Sequence, residues 1–129
     1  MTRVKITEST VQIAALIVAM CAASTFEEDQ IEQLCLRLDV DPFQLRELLV
    51  RALDPAADIP VENEAMPPAW YDNNAQLSRL LLEMNEVLIF GRSEWEALQA
   101  GLELPEDGLP GLFAAARQQL TDAMVKYRI

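Results

Sequence analysis

Histidine is absent from this chain, and cysteine occurs only twice, at Cys21 and Cys35. The first absence removes every histidine-based acid–base scheme and the usual zinc arrangements. The second removes a disulfide scaffold. Neither cysteine belongs to a CxxC pair and both fall on apolar helical positions, so free buried thiols in a reducing compartment are the expectation. Spacing alone leaves a bridge between the two open. With 4 glycines in 129 residues, no glycine-rich phosphate loop can be drawn. Basic residues are also few, 10 Lys plus Arg against 21 Asp plus Glu, for a formal charge of −11. An anionic membrane surface or a polyphosphate backbone is therefore a poor direct partner. The apolar run Ile13 to Ala23 has 11 residues, where a membrane span needs about 20.

What the chain has in quantity is apolar surface, 51% of its residues. A chain of this length fits one domain, 1–129, able to bury a core without staples. Its acidity is spread along the whole sequence, as in a cytoplasmic protein with a solvated anionic surface. An acidic inhibitor or nucleic-acid mimic that captures a basic partner is the sharper alternative.

The most informative stretch is Thr25 to Leu53, TFEEDQIEQLCLRLDVDPFQLRELLVRAL. It reads as two helices meeting at a tight corner, Asp39-Val40-Asp41. Thr25 with Glu28 has the spacing of a capping box. Asp41, Pro42 and Gln44 repeat the logic: an N-cap, a proline where its missing N–H costs nothing, and a glutamine that reaches back. Ile31, Leu34, Cys35 and Leu38 recur at helical spacing, as do Leu45, Leu48, Leu49 and Ala52.

That corner, residues 26–53, resembles the helix-turn-helix of DNA-binding proteins. Leu34, Leu38, Val40, Leu45 and Leu48 stand where the motif places core residues, and Cys35 where it places a small one. Asp39 replaces the turn glycine, which aspartate tolerates because it visits the left-handed region more readily than most residues. The resemblance implies a transcriptional regulator. Its outward positions are Asp41, Pro42, Phe43, Arg46, Glu47 and Val50, two acids and one arginine where phosphate contact asks for a basic cluster. Nucleic acid is thus an unlikely partner by charge, and the corner is expected to build the fold.

Upstream, Thr7 is expected to cap a helix from about Glu8 to Ala23. Arg3 and Lys5 before an apolar run ending Cys21-Ala22-Ala23 imitate a secretory signal, but Glu8 interrupts the basic segment. A buried core helix is the expectation. Downstream, Leu53-Asp54-Pro55 ends the third helix. Pro55, Pro60, Pro67 and Pro68 then make residues 54–71 a non-helical strap, anchored through Ile59, Val61, Met66, Trp70 or Tyr71. It divides a front half, 7–53, from a back half, 72–129.

In the back half, Asp72 is expected to cap the longest helix, Asn73 to Phe90, stopped by Gly91. Leu77, Leu80, Leu81, Met84, Val87 and Leu88 give it one wide apolar face, which Leu82 and Ile89 extend. Such a helix is either the pillar of the domain or partly covered by another chain. Ser93 with Glu96 suggests a capping box for a short helix to about Ala100, with Trp95 and Leu98 inward. The loop LELPEDGLPG lacks the alternating oxygen ligands of a calcium loop. Pro110 opens a final helix to about Lys126, with Leu112, Phe113, Ala116, Leu120, Ala123, Met124 and Tyr127 on its apolar side.

The expected fold is all-α, five or six helices around a central helix near residues 73–90. There is no nucleophile–base pair or metal-ligand cluster, so neither an enzyme nor a cofactor is expected. Three helices are apolar on more than one face, and one subunit has trouble covering all three. A protein–protein interaction or assembly subunit follows, acting through apolar helix faces as a homodimer or on a protein partner. The partner-binding candidates are Phe43, Arg46, Leu49 and Val50.

Overall fold

A computed structural model of the chain describes residues 6–23, 26–55, 72–105 and 107–127. Its regular structure is wholly helical: α1 (Glu8–Ala23), α2 (Glu28–Leu38), α3 (Pro42–Leu53), α4 (Asn73–Val87), α5 (Arg92–Gly101) and α6 (Gly108–Tyr127). There is no strand among the described residues. The strap anchors Ile59, Val61, Met66, Trp70 and Tyr71 lie outside the described residues, as do Thr25, Glu106 and the side chain of Tyr127.

Local chemistry sets the helix ends. The Thr7 hydroxyl accepts from the amide of Thr10 at 3.0 Å and starts α1. At α3, Asp41 Oδ1 accepts from the amide of Gln44 at 2.8 Å, and Gln44 Oε1 accepts from the amide of Asp41 at 2.9 Å. This is the reciprocal box expected there, with Pro42 in the first turn. Asp39 closes α2 in the left-handed conformation at φ 54°, its amide facing the carbonyls of Cys35 and Leu36. Such a residue satisfies carbonyls left over at a helix end while turning the chain sharply.

Three boundaries differ from expectation. Helix α2 begins at Glu28, and its box is Glu27 with Gln30 in place of the expected Thr25 with Glu28, Gln30 Oε1 accepting from the amide of Glu27 at 3.0 Å. Helix α4 stops at Val87, three residues short of Phe90, because Leu88 turns extended at φ −85°, ψ 136°. Gly91 is therefore no stop for α4; it is the N-cap of α5, which starts ahead of Ser93 and leaves the Ser93–Glu96 box unmade. Ile89 falls in this connection and is 91% exposed, so it does not extend the apolar face of α4.

Helix α4 is the pillar. It packs most extensively on α6 and also contacts α1, α2 and α3. Leu77, Leu80, Leu81 and Met84 are sealed from solvent, against Ile13, Leu16, Ile17 and Met20 of α1 and Leu34 of α2 in one core. Each such side chain contributes about 1.5–3 kcal/mol on burial. Helix α1 is thus a core helix, and no helix of the described residues is long and apolar enough to cross a membrane. Trp95 of α5 is wedged edge-on between Phe90 and Phe113, with ring centroids at 5.1 and 5.8 Å.

One polar knot sits inside this apolar packing. Gln119 of α6 donates from Nε2 to the hydroxyls of Thr10 and Ser78, both at 2.9 Å. Its Oε1 accepts from the Thr7 hydroxyl at 2.5 Å. Thr10 and Ser78 are fully buried, so α1, α4 and α6 meet at one hydrogen-bonded point.

Candidate functional site

The outward side of α3 follows from the phase of its inward one. Leu45, Leu48 and Ala52 are buried and hold the helix to the core. At about 100° per residue, Phe43 and Val50 then project within roughly 20° of one another, directly away from the core. They are 68% and 56% exposed. Arg46 and Glu47 flank them on opposite sides, both exposed. Leu53 continues the stripe at 69% exposure. Of the expected partner-binding residues, Phe43, Arg46 and Val50 share this face. Leu49 is turned partly inward, half-buried and packed on the core, and reaches the surface only at the margin.

Leu53 is the member of the stripe that sequence reasoning assigned to the helix end and nothing more. The signal was available, since it stands three residues beyond Val50 and ten beyond Phe43. Leu36 of α2 is exposed as well, out of phase with the buried Leu34, Cys35 and Leu38.

Arg46 and Glu47 stay exposed beside the stripe, whereas two other cations of this corner are engaged with α4. Arg51 points off the face and donates to Gln76 Oε1 of α4. Its half-burial lowers its pKa from the ordinary arginine value, with Glu47 opposing that shift. Arg37 at the end of α2 is paired with Glu83 at 2.6 Å and reaches Glu86 at 3.9 Å. No three His, Cys, Asp or Glu side chains converge on a common point among the described residues.

The helix-turn-helix corner has its expected internal packing: Leu34, Cys35, Leu38, Leu45 and Leu48 are buried and Val40 is half-buried. The six outward positions named for a DNA-reading face, Asp41, Pro42, Phe43, Arg46, Glu47 and Val50, are all exposed. Their charge balance is one cation to two anions. No family model, curated protein or solved structure matches this chain.

Proposed function

We propose that the chain is a non-catalytic interaction or assembly subunit that docks through the outward face of α3, with a second copy of itself as the simplest occupant. The observation that carries this is the Phe43–Val50–Leu53 stripe, three large apolar side chains left in water on one helix, where Val11 of α1 and Leu36 of α2 are exposed singly. Arg46 and Glu47 add one charge of each sign to the stripe, so each copy brings both halves of an ion pair. Leu49 supplies the margin. Two free thiols, Cys21 half-buried and Cys35 buried, support a cytoplasmic setting.

Light scattering over a concentration series tests the reading. Association through an apolar stripe rises with protein concentration and survives added salt; a strict monomer at every concentration, with no host protein bound to the face, overturns it. The helix-turn-helix regulator is the second reading, supported by the left-handed corner at Asp39. It predicts DNA affinity that falls steeply with salt. An acidic inhibitor predicts a basic partner released by salt.

A further inference from the structure

Behind the same corner, on the inner side of α3, lies a cavity of about 420 Å³. Pockets that hold small molecules run from about 300 to 1,000 Å³ and are mostly apolar with a few placed polar groups. This one fits that description. Leu38 and Val40 of the α2–α3 turn, Leu48 of α3, Ala75 of α4, and Leu120 and Ala123 of α6 make apolar walls. Met124, half-exposed on the rim, is the adaptable kind of side chain that can follow a ligand's outline.

The polar groups are Asp39, Gln76 and Arg79. Gln76 already accepts from Arg51. Arg79 is different. Its Nη2 donates to the carbonyl of Arg37 at 3.0 Å, which anchors the guanidinium against the end of α2. Arg37 and Arg92 are paired with carboxylates, whereas Arg46, Arg51, Arg79 and Arg117 make no ion pair among the described residues, and of these only Arg79 lines the cavity. Asp39 shares the lining but forms no ion pair with Arg79, which leaves that guanidinium able to take a carboxylate brought from outside. Its planar fork matches a carboxylate in two parallel hydrogen bonds.

We propose that this cavity binds a small amphipathic monocarboxylate, with its hydrocarbon chain between α3, α4 and α6 and its carboxylate on Arg79. Asp39 on the same lining limits the ligand to one negative charge, since a dianion meets its carboxylate as well. The site is separate from the outward stripe of α3, and the proposal does not depend on what that stripe binds.

Calorimetric titration of the full chain with sodium decanoate tests it, with decylamine as the cationic control of equal chain length. Decanoate binds saturably at one per chain and more tightly than decylamine. Arg79→Gln, a change at an exposed side chain, weakens decanoate by roughly tenfold to a hundredfold, the loss expected for hydrogen bonds to a charged group. Asp39→Asn leaves the affinity equal or higher, because asparagine keeps the left-handed turn while removing the competing charge. Ala123→Leu, filling the cavity in a chain that still melts cooperatively, abolishes binding. Absence of saturable binding, preference for decylamine, or full affinity in Arg79→Gln overturns the proposal. So does loss of binding in Val50→Glu, which would put the ligand on the outer stripe.

Discussion

Replacing Val50 with glutamate places a carboxylate in the middle of the α3 stripe without touching the core. Val50 is 56% exposed, and glutamate is the better helix former, so the isolated subunit should change by no more than about 0.5 kcal/mol. Association is another matter. Full burial of a valine, leucine or phenylalanine is worth about 1.5–3 kcal/mol. At 68%, 56% and 69% exposure, Phe43, Val50 and Leu53 have most of that still to gain. This amounts to ~1–2 kcal/mol each, or ~6–12 kcal/mol across two copies. Bringing two subunits together costs about 4–15 kcal/mol, so the stripe supports a weak dimer, micromolar at its tightest. Val50→Glu removes ~1–2 kcal/mol from each copy, which weakens dimerisation by roughly thirtyfold to a thousandfold. Sedimentation equilibrium of both proteins over a concentration series measures this, with thermal melts run in parallel. If the variant dimerises like the parent, the stripe is not the interface. If it unfolds or melts many degrees lower, Val50 is packed in a way its exposure does not reveal, and the reasoning fails.

Leu80→Ala, at a fully buried position of α4, should cost about 2.7–5 kcal/mol, read as a lower urea midpoint with an unchanged slope. Asp41→Ala removes the N-cap of α3 and should cost about 0.5–2 kcal/mol, whereas Asp39→Gly should be neutral or stabilising because glycine occupies φ 54° without strain. Burial raises the pKa of both thiols, with Asp41 adding to the effect at Cys35. The folded state thus holds these protons more tightly than the unfolded chain. Stability contributed by the neutral thiols is intact below the ordinary thiol range and declines as pH rises through it toward the raised values. Denaturant midpoints measured across that alkaline window should fall in the parent and stay flatter in a Cys21→Ala, Cys35→Ala double variant.

Much of this architecture was legible where one short-range interaction decides an outcome. The Asp41–Gln44 box and the Thr7 start follow from side chains that bond to backbone within three residues, and the left-handed Asp39 closes α2 through its own backbone amide. Periodicity identified α4 as the pillar, since nothing but enclosure suits a helix whose Leu77, Leu80, Leu81 and Met84 share a face. The errors arose where two signals compete. Gly91 has the chemistry of a helix stop and also of a start; the chain uses it as a start because Leu88 has already left the helix. Ile89 keeps the apolar rhythm of α4 but lies past the last turn, where rhythm has no meaning. The apolar count was a blunter instrument still. It gave three helices with excess apolar surface, yet α1 and α4 cover one another's faces, and α3 alone keeps a continuous apolar stripe in water. Composition records how much there is to hide and carries no information on which helix is hidden by which. The cavity beside Arg79 was not legible at all, because its walls come from three regions distant in the chain, the α2–α3 corner, α4 and α6.

The amide of Gln119 has a consequence for how uniquely the bundle is assembled. Leucines, methionines and alanines along α1, α4 and α6 are forgiving: shift one helix by a turn, about 5.4 Å, and grease still meets grease. Three hydroxyls do not forgive. Displaced by that step, Gln119 would abandon Thr10 and Ser78 deep among hydrocarbon, at about 1–3 kcal/mol for each stranded group. A single amide thereby serves as an indexing pin, choosing one alignment of three rods that could otherwise slide.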